Sequence, residues 1–259
     1  ISANHTSVSV IYDKDGMTVI PPVTIEDDNG APTGQVFNGT TGFVIPVNGK
    51  PARFIFAGED GTLTAWNGGS AAFLVANRIK EQAVYKGLAM ANDGTGNFLY
   101  AANFKQSKID VFDSTFTYVT DNPFRDNSIP AYYGPFNIRL IKGNLYVTYA
   151  KHLAPDNVDD KKGHGNGYVD IFSTKGQFIK RFASRGALNS PWGIVPSVPG
   201  SSSVPDAILI GNFGDGTINV YTNNGDFLGS LKDDWGHDIV IDGLWAIENN
   251  IHTADPEHL

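Results

Sequence analysis

Residues 85–112 decide the fold. Tyr85-Lys86-Gly87 opens an aliphatic run, Phe98-Leu99-Tyr100-Ala101 follows as a short apolar strand, and Ile109-Asp110-Val111-Phe112 alternates with period two. The first piece returns as Pro32-Thr33-Gly34, Pro135-Phe136-Asn137, Pro191-Trp192-Gly193 and Ile241-Asp242-Gly243. The second returns as Phe54-Ile55-Phe56-Ala57, Leu145-Tyr146-Val147-Thr148 and Ile208-Leu209-Ile210-Gly211. The third returns as Val8-Ser9-Val10-Ile11-Tyr12, Leu63-Thr64-Ala65-Trp66, Val169-Asp170-Ile171-Phe172 and Ile218-Asn219-Val220-Tyr221. Copies lie roughly fifty residues apart, the self-similarity of a repeat architecture. Gly16, Gly176 and Gly225 each follow the aromatic of the third piece, which predicts a hairpin turn into a fourth strand.

Four short antiparallel strands per repeat, here termed A to D, define the blade of a β-propeller. A sandwich has similar strands but no reason to repeat its sequence so regularly. The repeats predict one all-β domain over residues 1–259 with six four-stranded blades. The first blade lacks strand A and the last lacks C and D, because Ile1–Asn4 and Ile251–Ala254 both read as strand B. If the two ends instead share a blade, the ring closes with five. Gly or Asn at the third place of strand A predicts a backbone of positive φ there.

Composition agrees. Of 259 residues 41% are hydrophobic and 18% charged, which suits a packed globular chain, with 29 Gly and 14 Pro for its many turns. The net charge of −8 opposes nucleic-acid binding, which needs clustered Lys and Arg. No apolar run is long enough to span a bilayer. The chain opens inside a strand pattern, so no signal peptide is expected. The absence of cysteine excludes disulfides, thiol catalysis and thiolate metal sites. Asn4-His5-Thr6 and Asn38-Gly39-Thr40 are glycosylation sequons, relevant in a secreted protein.

Longer stretches carry a family resemblance: Phe54–Thr62, Tyr85–Ala89, Asn97–Phe104, Leu145–Lys151, Asn189–Gly193, Gly211–Gly216 and Ile241–Trp245. Together they resemble a family of secreted, mostly bacterial propeller proteins of unknown function. The resemblance runs nearly end to end. It implies a secreted, extracellular or cell-surface location and a six-bladed fold related to NHL-type propellers. It implies no reaction. Members often bear a signal peptide and sometimes an anchoring segment, and this sequence lacks both ends of the family pattern.

Chemistry is expected where the D-to-A and B-to-C connections meet on one face of a propeller. After strand B come Asn4, Glu59, Asn103, Lys151, Asn212 and Asp255, one for each proposed blade. Of these, Glu59, Asn103, Asn212 and Asp255 offer the oxygens that a hard cation such as Ca²⁺ takes. The same asparagines read equally as strand-end caps that bond to backbone. Asp60-Gly61 and Asp215-Gly216 are assigned to hairpin turns. The segment Asp156–His164 lacks the closing Glu of a Ca²⁺ loop and reads as a solvated loop. Among six histidines, His5 and His152 stand beside ring positions and are the candidate general bases. No Gly-x-Ser-x-Gly elbow or phosphate loop is present. Phe104, Phe136, Trp192, Phe213 and Trp245 lie in the same motifs, as ligand-stacking rings or as packing between blades.

Three functions follow from these features. The leading one is a binding module whose loop-bearing face takes a small molecule, a glycan or a protein. The second is a metal-dependent hydrolase of lactonase type. The third is a structural subunit that associates with its own kind through open terminal blades, whose edge strands present unpaired backbone groups.

Overall fold

The structure is a computed structural model that describes residues 2–4, 6–13, 15–25, 31–121, 123–197 and 206–248. The chain divides into two compact units, residues 1–123 and residues 124–250. The predicted last strand, Ile251–Ala254, and with it Asp255, lies outside the described residues.

The first unit begins with a three-stranded sheet of β1 (Ser2–Ala3), β2 (Val8–Ser9) and β3 (Val23–Thr24), which correspond to strands B, C and D. The next sheet comprises β4 (Pro32–Phe37), β7 (Phe54–Gly58), β8 (Thr62–Trp66) and β9 (Phe73–Asn77), with β5 (Val44–Ile45) and β6 (Lys50–Pro51) as a small hairpin between A and B. A third sheet holds β10 (Tyr85–Asn92), β11 (Asn97–Asn103), β12 (Lys108–Phe112) and β13 (Tyr118–Val119). The second unit holds β14 (Tyr133–Ile141), β15 (Asn144–Lys151), β16 (Gly167–Ser173) and β17 (Phe178–Ser184), followed by β18 (Pro191–Pro196), β19 (Ile208–Asn212), β20 (Ile218–Tyr221) and β21 (Phe227–Ser230). Within each four-stranded sheet every strand pairing is antiparallel, and the strands follow in chain order apart from the β5–β6 hairpin between β4 and β7, so these sheets are the meanders that the repeats predict.

Packing between sheets explains the repeat. In the first unit Phe43, Ile55, Leu63, Tyr85, Leu99, Phe112 and Phe116 form one core across two adjacent sheets. In the second, Tyr146, Val169, Ile171, Phe182, Ile194, Ile208 and Tyr221 do the same. The central strands are therefore covered on both faces. That alters the meaning of the alternating C strand, whose polar members Thr64, Asp110, Asp170 and Asn219 are all buried. They are enclosed by protein rather than water, Asp110 bonding to Tyr85 and Asn103 and Asp170 to Arg181 of their own sheets.

The structure corrects the reading of strand A. Gly34, Gly87, Asn137 and Gly193 do not have positive φ; only Gly243 does, at 69°. Each A strand has a register shift instead, after its first residue in β4, β10 and β18 and after its third, Pro135, in β14. Glycine is needed at Gly34 because an added Cβ would stand 2.5 Å from the backbone nitrogen of Leu88 in the next A strand. At Asn137 the side chain itself bridges to the next A strand, its Nδ2 donating to the Trp192 carbonyl at 2.8 Å. Thr33 does likewise, its hydroxyl donating to the Tyr85 carbonyl at 2.7 Å.

The hairpin reading holds. Gly16, Gly176 and Gly225 have φ of 79°, 80° and 101°. At the matching place in the third sheet Phe116 takes φ 63°, a conformation disfavoured for L-residues, while its ring packs 5.5 Å from that of Phe43. Asp60-Gly61 and Asp215-Gly216 are B-to-C turns as read, in which Thr62 and Thr217 donate to the aspartate carboxylates.

Candidate functional site: the aromatic end of the second unit

Each strand B ends opposite the first residue of strand A. The pairings are Pro32 with Gly58, Tyr85 with Asn103, Tyr133 with Lys151 and Pro191 with Asn212. Register thus matches the two asparagines with Gly58 and Lys151, while Glu59 stands one residue further along.

Both asparagines are fully buried. The Asn103 carbonyl accepts the Val84 N–H at 3.3 Å, and its amide donates to Asp110 at 2.9 Å and to Gln106 at 3.0 Å. The Asn212 carbonyl accepts the Asn189 N–H at 3.0 Å, and its amide donates to the Ala187 carbonyl at 2.8 Å and the Thr217 hydroxyl at 3.0 Å. Glu59 is ion-paired with the buried Lys86. Among the described residues, no group of three or more His, Asp or Glu is placed to hold a metal ion. His152 is buried at the end of β15, its N–H bonded to the Tyr132 carbonyl at 2.9 Å. His5 lies outside the described residues.

The predicted aromatic residues divide differently. Phe104 is fully buried in the first unit. The other four gather at one end of the second unit, from the starts of β14 and β18, the B-to-C turn after β19, and residue 245. Trp245 stacks on Trp192 with centroids 4.8 Å apart, and meets Phe213 edge-on at 5.1 Å and Phe136 at 5.8 Å. Phe136 and Trp192 are buried, whereas Phe213 and Trp245 remain partly exposed. Such T-shaped and offset pairs are the preferred geometries of quadrupolar rings.

The loop between β15 and β16 borders this cluster. Its Gly163 N–H bonds to the Asn189 side chain at 2.6 Å, and its Lys162 ammonium lies 4.6 Å from the Phe213 ring centre. Asn189 in turn donates to Asp215 at 2.8 Å. Burial alone would raise Asp215, but hydrogen bonds from Thr217 and Asn189 hold its carboxyl below the ordinary range.

Sequence reasoning missed the buried carboxylates of the C strands. Asp110 accepts from the Tyr85 hydroxyl at 2.9 Å and pairs with Lys108 at 3.0 Å. Asp170 is ion-paired with Arg181, which also binds Asp126. Burial above all, with the Asp126 carboxylate adding to it, pushes Asp170 up to about 7 against the pull of Arg181. The signal was the recurring polar second place of strand C.

Sequential four-stranded antiparallel meanders that repeat around buried inter-sheet cores define this chain as a β-propeller protein. Solved structures agree on the fold. A virginiamycin B lyase from Staphylococcus aureus matches 95% of this chain and 68% of its own, with a TM-score of 0.57 at 15% identity. A protein assigned as a gluconolactonase matches 77% of this chain and 63% of its own, with a TM-score of 0.53 at 13% identity. No family model matches the chain.

Among curated proteins the similar ones are viral. Uncharacterized protein L690 of Acanthamoeba polyphaga mimivirus is 42% identical over 171 residues, which is 63% of this chain and 44% of that protein. Uncharacterized protein R648 of the same virus is 42% identical over 165 residues, 62% of this chain and 40% of that protein. The chain thus spans less than half the length of these relatives.

Proposed function

We propose that this chain is a propeller binding module, working outside the cell, whose ligand rests on the aromatic end of the second unit. One observation carries the reading: four rings from four separate segments converge, and two of them, Phe213 and Trp245, stay partly open to solvent. An indole held against three other rings loses no rotamer freedom when a ligand stacks on it, which favours binding. The ligand class that suits such a platform is one with a flat apolar face and a polar rim, and a saccharide ring has both.

The experiment is a saccharide-binding screen read by tryptophan fluorescence and calorimetry. Trp245→Ala should weaken binding at least tenfold, and Trp245→Phe, which keeps a ring in place, should weaken it less. Unchanged affinity in Trp245→Ala would overturn the reading. A second reading, a metal-dependent hydrolase of lactonase type, draws on the fold likeness to the gluconolactonase. It requires Asn103 or Asn212 to exchange its present hydrogen bonds for a cation.

A further inference from the structure

We propose that the ligand of this aromatic end is an acidic saccharide, one that carries carboxylate or sulfate groups; the inference rests on the binding reading above. Three cations at this end of the second unit are held on aromatic residues rather than on carboxylates. Lys162 lies 4.6 Å from the Phe213 ring centre, Lys151 lies 5.2 Å from that of Tyr132, and Arg185 Nε donates to the Tyr168 hydroxyl at 3.0 Å. None of the three has an ion-pair partner among the described residues. Other cations in the molecule do have such partners: Lys86 pairs with Glu59, Lys108 with Asp110, Arg139 with Glu248, and Arg181 with Asp126 and Asp170.

Hydrogen bonds join the segments that carry the three cations. The Lys161 N–H bonds to the Lys151 carbonyl at 2.7 Å, and Asn166 Nδ2 donates to the Lys161 carbonyl at 3.0 Å. The Tyr133 hydroxyl reaches Asn166 Oδ1 at 3.5 Å, and the Arg185 N–H bonds to the Gly167 carbonyl at 2.8 Å. The same loop leads through Gly163 and Asn189 to the stacked tryptophans. Tyr132, Tyr133 and Tyr168 form a second ring cluster within it, with centroids 5.3 Å and 4.8 Å apart. Asp156, Asp159 and Asp160 also lie in the loop, and Asp215 borders the platform, already bonded to Thr217 and Asn189.

Aromatic faces beside cations that lack an ion-pair partner among the described residues match a polymer in which apolar sugar faces alternate with fixed negative charge. Stacking serves the ring, and a charge-assisted hydrogen bond from Lys or Arg serves the anion. A nucleic acid is a poor fit, because three cations on a chain of net charge −8 supply little counterion release.

The test is calorimetry on the purified chain with three probes: an oligogalacturonate, a heparin oligosaccharide and a neutral oligogalactoside. Wild type should bind at least one acidic probe tenfold or more tightly than the neutral one, with an affinity that falls as salt rises. Which acidic probe is preferred assigns carboxylate or sulfate. The triple variant Lys151→Ala/Lys162→Ala/Arg185→Ala should lose that tenfold preference, and melting by circular dichroism checks that it is folded. Should it fail to fold, the Lys162→Gln and Arg185→Gln single variants take its place. Equal wild-type affinity for acidic and neutral probes would overturn this inference and leave the ring platform standing. Binding of no probe would overturn the platform as well.

Discussion

At the scale of single residues, Asp170 is the group whose environment differs most from water. It is fully buried, one carboxylate oxygen has no hydrogen-bond partner, and Asp126 shares its arginine. Burial pushes it up to about 7, so the folded chain holds this proton more tightly than the unfolded chain does. Its contribution is full below about pH 4, the unfolded value, and is lost as pH rises towards 7. Asp126 and Asp215 act in the opposite sense: although burial raises them, hydrogen bonds hold them low, and their contribution disappears on acidification below about pH 4. Stability is therefore expected to peak in mildly acidic solution. Asp170→Asn removes the titration but keeps the shape. Urea midpoints measured from pH 4 to 8 should fall by the equivalent of about 2–4 kcal/mol in wild type and stay flat in the variant. Parallel profiles in the two proteins would show that Asp170 does not titrate in this range.

At the scale of elements, glycines that look alike in sequence do different work. Gly16 turns a hairpin with φ 79° and open space around it, while Gly34 lets two A strands approach. Gly16→Ala should cost about 1–2 kcal/mol, the penalty of a left-handed L-residue. Gly34→Ala should cost about 3 kcal/mol or more, because its new Cβ meets the backbone of Gly87 and Leu88, which cannot rotate away. Chemical denaturation of the two variants distinguishes these roles, and equal losses would mean that strand A is less tightly stacked than it looks. This is also why the sequence misled about strand A. Positive φ and close approach both select glycine, and only the neighbouring chain shows which constraint applies. The C–D hairpins were easier to read, since their constraint is local to the turn. Even there Phe116 shows a packed ring overriding a backbone preference.

At the scale of the whole molecule, the repeat was legible because every sheet must bury its faces against another, which forces the same apolar positions to recur. The site was legible in part. Trp192, Phe213, Trp245 and Phe136 stand in the repeated motifs and do meet, but the cations Lys151, Lys162 and Arg185 come from segments whose proximity only the fold creates. The proposed ring of oxygen ligands was assembled by residue polarity after strand B; in backbone register the asparagines stand where Gly58 and Lys151 do, and Glu59 follows one residue later. The two functional readings therefore part at Asn103 and Asn212, and metal linkage separates them. A cation bound at a hundred times its Kd would add about 2.7 kcal/mol to the stability of the native chain. If the asparagines serve as caps, calcium and EDTA should leave the melting temperature unchanged. Asn103→Ala and Asn212→Ala should then each cost about 2 kcal/mol, because the N–H groups of Val84 and Asn189 and the carbonyl of Ala187 lose buried partners. Should EDTA instead lower the melting temperature of wild type and have no effect on either variant, the asparagines are ligands. The hydrolase reading would then displace the binding module.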